Sequence, residues 1–190
     1  MRKIPAQYEN PLDDALLDAA DAALPLARAT RLTPNQITVG SIAFKVGAVW
    51  ALAEGRPWAF LASDAAGVFL DYVDGHLARA DGEVTPLGDA LDHGSDLMHG
   101  LAVAGLAAYR LGARRAALPM LALAALAVAQ AVHLGCQQKY YHAPGGGSES
   151  LDGLRKLCAG DPRRWMRATR FFGVGTFQLA LAIVALYSMA

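Results

Sequence analysis

The sequence predicts an all-α fold, a polytopic transmembrane helical bundle of five spans with room for a sixth, preceded by an amphipathic N-terminal helix. Three observations predict it. The 190-residue chain is 54% hydrophobic with only 18% charged residues and a mean hydropathy of +0.26, more apolar than the ~45–50% of soluble domains. The apolar residues gather in five stretches, roughly 34–54, 57–79, 88–110, 115–136 and 168–189. Each stretch is near the ~20 residues that a helix needs to cross a bilayer at 1.5 Å rise. Seventeen basic residues balance seventeen acidic ones, so the basic excess of a generic nucleic-acid binder is missing and no nucleic-acid partner is expected. The length suggests one membrane-embedded domain over 1–190, with a cytosolic or juxtamembrane segment at 1–32 and the bundle at 33–190.

Met1-Arg2-Lys3 resembles the start of a signal peptide, but an acidic stretch follows where an apolar one is required, so no signal peptide is expected. Residues 11–24 read as an amphipathic helix, with Asp13, Asp14, Asp18 and Asp21 on one face and Leu12, Leu16 and Leu17 on others. An acidic polar face does not favour anionic lipid, so this helix is expected to pack on its own bundle. Thr33-Pro34-Asn35-Gln36 forms a helix start: Thr33 caps, Pro34 suits the first position and Gln36 completes a capping box.

The fourth and fifth spans carry no charge in their cores. The connection 137–167 holds Lys139, Arg155, Lys156, Arg163, Arg164 and Arg167, and the N-terminal tail holds Arg2, Lys3, Arg28 and Arg31. The excess of Lys and Arg places both on the cytosolic side, with the turn at Arg110, Arg114 and Arg115 as the exception.

The second and third spans contain charges, which are costly at membrane depth. Asp71 and Asp74 are spaced i,i+3, with Gly75 and Ala78 on the following turn. Gly88, Asp92 and Asp96 are spaced i,i+4,i+8. Each set shares a helical face, and the short 80–87 connection makes the two helices antiparallel neighbours, so four carboxylates converge at their cytosolic ends. Ionised carboxylates in a low-dielectric site require cations. Oxygen-only ligands suit Mg²⁺ or Mn²⁺ better than zinc, and two such ions can clamp a pyrophosphate. Gly75 and Ala78 leave the facing surface bare, and Arg79 offers planar donors to phosphate.

The spacing D-x2-D-G-x2-A-R-x8-G-x3-D-x3-D over residues 71–96 resembles the signature of the CDP-alcohol phosphotransferase (CDP-alcohol phosphatidyltransferase) family, with every fixed position filled. The resemblance extends more weakly to the start of the first span and fades after about residue 136. It implies a metal-dependent transferase that cleaves the pyrophosphate of a CDP-linked lipid or alcohol, releases CMP and passes the phosphoalcohol to a second hydroxyl. Asp71, Asp74 and Asp92 match the metal-binding aspartates. Asp96 matches the proposed general base, which also touches a metal. Gly75, Ala78 and Arg79 match positions that line the CDP site, and Asn35 is placed to reach the nucleotide from the first span. The resemblance further implies a homodimer, six spans where the pattern gives five, and a cavity open to cytosol and lipid. The resulting expectation is an enzyme of phospholipid biosynthesis in a bacterial inner or plasma membrane, its active site facing the cytosol. Its donor would be CDP-diacylglycerol and its acceptor a small polar alcohol. A soluble CDP-alcohol donor and, in another class, a divalent-cation transporter are the alternatives.

Other polar residues carry weaker expectations. Lys45 and Asp64 are nearly equidistant from the turn at Glu54–Pro57, which points either to an intramembrane ion pair between the first two spans or to a snorkelling Lys45 with Asp64 protonated or reaching the polar cavity. His93 and His99 read as hydrogen-bonded helix histidines, and His76 falls at a free position of the motif. Arg163, Arg164, Arg167 and Arg170 could bind an acceptor phosphate or simply follow the positive-inside rule. His142–Ser150 reads as a loop that covers the site or merely connects helices. Cys136 and Cys158, both on the expected cytosolic side, are predicted to be reduced thiols.

Overall fold

A computed structural model describes residues 3–141 and 147–190. These residues form helices and short 3₁₀ turns, with no strand among them. Helix α1 is Pro11–Thr30, α2 Pro34–Ala53, α3 Pro57–Asp81 and α4 Pro86–Tyr140; α5 is Pro162–Thr169 and α6 Val174–Met189. The all-α membrane-type fold expected from the sequence is what the chain forms.

Local chemistry sets most helix ends. The capping box at Thr33 and Gln36 is present: the Gln36 amide donates to Thr33 Oγ1 at 3.3 Å, and the Thr33 amide to Gln36 Oε1 at 2.9 Å. Asn10 accepts from the Leu12 amide at the head of α1, and Thr85 accepts from the Gly88 amide at the head of α4. Proline occupies the first turn of α1 through α5. Gly82 closes α3 with φ 73°, in the left-handed region that glycine enters without strain.

Helix α1 runs six residues past the expected end and through Pro25. Its inner face explains this: Ala20, Leu24 and Ala27 pack on Ile37 of α2 and on Val73 and Leu77 of α3, so burial on both sides of Pro25 outweighs the lost amide. The acidic face of α1 is not wholly exposed. Asp13 is buried, accepts from the Gly175 amide at the head of α6, and accepts from Tyr72 Oη at 2.7 Å. Periodicity placed Asp13 on the polar face; a helix N-terminus brought against it supplied the donors that make its burial tolerable. That burial pushes the Asp13 carboxyl above the usual carboxylate range, against the opposing pull of its hydrogen bonds.

The third and fourth predicted spans are two limbs of α4, 86–111 and 113–140, separated at Gly112 (φ 70°, ψ 159°). Val103 and Leu123 enter the same core cluster, with Ala48, Leu52, Phe60 and Leu181. A straight helix would hold residues twenty apart about 30 Å from each other, so the chain turns back at Gly112. The Arg110 guanidinium donates to the carbonyls of Leu52, Ala53 and Ser188, each at 3.3 Å. It thereby gathers the C-termini of α2 and α6 at the same end of the bundle.

Three helical stretches are long and apolar enough to cross a membrane by length and composition: Pro34–Ala53, Pro86–Tyr140 and Pro162–Met189. Helix α3 has 25 residues, but its acidic groups keep it out of that set. The last predicted span is assembled from α5, a 3₁₀ turn at Arg170–Phe172 and α6. Among described residues 147–161 there is only the six-residue 3₁₀ turn Asp152–Leu157, too short for a sixth span. Large apolar side chains such as Trp58, Tyr109 and Leu118 are three-quarters or more exposed (81%, 84% and 76%), as lipid-facing residues are when no bilayer surrounds them.

The expectation of two reduced thiols is corrected: Cys136 and Cys158 form a disulfide, with Cα atoms 4.9 Å apart. The spacing of 22 residues concealed a close approach. The Leu154 carbonyl rests against Gly135, where any side chain would collide, and this contact carries the 3₁₀ turn and Cys158 up to Cys136.

Candidate active site

The motif residues lie on α3 and the first limb of α4. Close packing of α2 on α3 positions them. Ser41 donates to the Gly67 carbonyl at 2.8 Å and to Asp71 Oδ1 at 3.2 Å. A Cβ at Gly67 would come within 3.1–3.3 Å of Lys45 and the Ser41 carbonyl, so glycine there lets the two backbones meet.

Asp71, Asp74 and Asp92 come together: one carboxylate oxygen from each lies within 4.8 Å of the others. Asp74 Oδ2 and Asp92 Oδ1 are buried and receive no hydrogen bond among the described residues. Buried anionic oxygens without donors are what a hard divalent cation would satisfy, and an all-oxygen set suits Mg²⁺ or Mn²⁺, so the residues fit such an ion. Asp96 stands outside this group of three, with its Oδ1 2.8 Å from Lys45 Nζ. The same ammonium lies 2.6 Å from Asp71 Oδ1 and 3.2 Å from Ser95 Oγ.

The expected Lys45–Asp64 pair is therefore corrected. Equal distance from the turn set the depth of the two backbones, but the Lys45 backbone lies against Gly67, between Asp64 and Asp71. Its four-carbon stem then carries the charge toward the acidic cluster. Asp64 is instead 2.8 Å from His99 Nε2, and both side chains are buried. His93 Nδ1 lies 2.9 Å from the Asp89 carbonyl, so His93 and His99 are hydrogen-bonded helix residues, as expected; His76 is one too, its Nε2 2.6 Å from Asp21.

Beside the carboxylates is a cavity of about 290 Å³. Asp74 and Asp92 form part of its wall, and so do all four residues expected at the nucleotide: Asn35, Gly75, Ala78 and Arg79. At Gly88 a Cβ would stand 2.6 Å from Asn35 Oδ1, so any larger residue there would displace the Asn35 side chain. Sequence reasoning missed further lining residues: Lys3, Thr38, Thr85, Asp89, Tyr141 and Ser148. Thr38 was legible in principle, one helical turn after Pro34 and on the face of Asn35. Lys3, Tyr141 and Ser148 arrive from distant segments and carried no local signal.

The connection before α5 was expected to cover the site or to link helices. Residues 142–146 lie outside the described residues. Gly147–Ser150 closes on the cavity: the Ser150 amide donates to Asp89 Oδ2 at 2.9 Å, its hydroxyl lies 3.0 Å from His93 Nδ1, and the Ser148 amide donates to Gln138 at 3.0 Å. The arginines near α5 are engaged elsewhere. Arg163 lies over Tyr140 at 5.8 Å, Arg167 over Tyr8 at 5.7 Å, and Arg170 donates to the Gln7 carbonyl; neither these nor Arg164 line the cavity.

A helical membrane bundle that sets clustered carboxylates, an arginine and bare backbone around one cavity is a protein built to handle phosphate groups at a membrane. The chain belongs to the CDP-alcohol phosphatidyltransferase family, whose sequence profile matches residues 31–188. It is an integral membrane transferase of phosphate-containing groups, in a family that takes CDP-alcohol donors and alcohol acceptors and is generally divalent-metal dependent. No curated protein and no solved structure matches the chain.

Proposed function

We propose that this protein transfers the phosphatidyl group of CDP-diacylglycerol to the hydroxyl of a small polar alcohol and releases CMP, as a step of phospholipid synthesis on the cytosolic face of a bacterial membrane. One domain over 1–190, working as a homodimer, belongs to the same reading. The observation that carries it is the shared wall: Asp74 and Asp92 of the carboxylate cluster line the same cavity as Asn35, Gly75, Ala78 and Arg79.

In this reading Asn35 and the bare backbone at Gly75, Ala78 and Gly88 receive the cytidine nucleotide, and Arg79 offers its guanidinium to the diphosphate. Asp71, Asp74, Asp92 and Asp96 would hold the metal, Mg²⁺ or Mn²⁺ and as two ions. A bound divalent cation supplies positive charge to the pyrophosphate and to the departing phosphate. Asp96 takes the proton of the acceptor hydroxyl as that oxygen forms its bond to the β-phosphorus and the bond to the CMP oxygen breaks. Lys45, 2.8 Å from Asp96, holds that carboxylate in place.

The test is CMP release from CDP-diacylglycerol by purified protein with Mg²⁺ or Mn²⁺ and a panel of acceptors: glycerol 3-phosphate, inositol 1-phosphate, inositol, serine and choline. Acceptor-dependent CMP that Asp96→Asn abolishes is expected. Release with a soluble CDP-alcohol alone would move the donor assignment. No CMP from either donor type with any acceptor would overturn this proposal.

A further inference from the structure

The N-terminal segment, which the family motif does not include, is attached to the nucleotide cavity. Ile4 and Tyr8 are 3% and 4% exposed and pack with Cys136, Cys158 and Met166. The Tyr8 ring stands 6.0 Å from that of Tyr140, and Arg167 covers it. These anchors fix the backbone on both sides of Pro5 and deliver Lys3 to the cavity wall, where it joins Arg79, Asp89 and Asp92. Lys3 is half-buried, and among the described residues its ammonium has no carboxylate within ion-pair distance. Lys3, on a segment held there by burial of its neighbours, thus shares one small cavity with Arg79, with Asp74 and Asp92 of the carboxylate cluster, and with Glu83 and Asp89.

We propose that Lys3 is a phosphate-binding residue of the nucleotide cavity, its ammonium receiving an anionic oxygen of the CDP diphosphate and staying with the phosphate of CMP. The inference rests on the nucleotide reading of the cavity and adds to it a residue from outside the motif. The chemistry favours an anion. A lysine without a carboxylate partner, beside a guanidinium and partly out of water, is matched by a group carrying two or more negative charges. Desolvation, followed by the nearby Arg79 charge, draws the Lys3 ammonium below the ordinary lysine value despite Asp92, Asp89 and Glu9, and the negative charge of a phosphate at that position opposes both effects. Lys3 also differs from Arg79 in kind: it is a point charge on a flexible stem and can follow a phosphate as it departs.

The experiment is a binding titration of CMP and of cytidine, in Mn²⁺, to the wild-type protein and to Lys3→Gln and Lys3→Arg. One charge-assisted hydrogen bond is worth at least about tenfold in affinity. The expected result is CMP affinity about tenfold weaker in Lys3→Gln, cytidine affinity unchanged, and most of the CMP loss recovered in Lys3→Arg. Wild-type CMP affinity in Lys3→Gln overturns the role of Lys3 and leaves the nucleotide reading intact. Equal weakening for CMP and cytidine also overturns it, because that assigns Lys3 to shaping the cavity. A wild-type protein that binds neither CMP nor cytidine overturns the nucleotide reading itself.

Discussion

Replacing Lys45 with methionine removes the cation shared by Asp71 and Asp96 while keeping the stem that packs on Gly67. The Lys45 side chain is 3% exposed, and its carboxylate partners are 14% and 27% exposed at 2.6 and 2.8 Å. At an effective dielectric near 20, each contact is worth about 6 kcal/mol before desolvation is counted. Desolvation of three groups consumes most of that, and breaking such a buried pair by removing one partner costs about 3–5 kcal/mol net. At ~2–4 °C per kcal/mol for a chain of this size, Lys45→Met should lower Tm in detergent by roughly 10 °C when a chelator is present. Saturating Mn²⁺ should restore part of the loss, because an ion on Asp71, Asp74 and Asp92 replaces some of the missing positive charge. Thermal unfolding of both proteins, in chelator and in Mn²⁺, gives the four numbers needed. A deficit under ~1 kcal/mol in chelator would refute the claim that Lys45 neutralises the cluster. Equal deficits with and without Mn²⁺ would refute metal binding by these aspartates.

Three more outcomes follow from the same geometry. Gly88→Ala drives a methyl into Asn35 Oδ1 and close to Thr85 Oγ1; CMP affinity should fall at least about tenfold with Tm lowered by only a few degrees, since the Asn35 side chain can swing away. Arg110→Ala leaves the Leu52, Ala53 and Ser188 carbonyls without their shared donor, so unfolding should show a loss of about 1–2 kcal/mol, partly recovered by Arg110→Lys. The Arg28 guanidinium holds the Asp81 carboxyl below the usual carboxylate range. Its contribution is therefore complete above the unfolded value near ~4 and disappears as pH falls through the lower folded value. The stability difference between wild type and Asp81→Asn should be flat above about pH 5, vanish in stronger acid and shrink with added salt, because the pair is exposed to solvent.

The helices and the motif part of the cavity were legible because their signals are local. Thr33 and Gln36 are three residues apart, so one turn of helix is enough to bring cap and box together. Asp71, Asp74, Gly75 and Ala78 share a face by helical periodicity alone, and Gly88 and Asp92 do so on the next helix. The short 80–87 connection keeps the two helices together at one end, and both pack on α2. Asp13 and Asp64 were misplaced for the opposite reason. Their partners, Gly175 and His99, sit 162 and 35 residues away, and no periodicity within a helix encodes which foreign donor will arrive.

By itself, then, the sequence determined an all-helical membrane bundle, the face on which the acidic residues gather, and the family to which the spacing belongs. Side-chain period and apolar length depend only on residues within a few turns of one another. Only the tertiary structure decided that Lys45 joins Asp71 and Asp96 rather than Asp64, that Cys136 meets Cys158, that Asp13 caps α6, and that Lys3 reaches the cavity beside the carboxylates. Each of these contacts is settled by how closely two segments approach, and that approach depends on small residues at the crossing points. Gly135 admits the Leu154 carbonyl, Gly173 and Gly175 admit Asp13, and Gly67 admits Lys45, and a glycine's effect is exerted on whatever segment comes to lie against it, which the order of residues along the chain does not name.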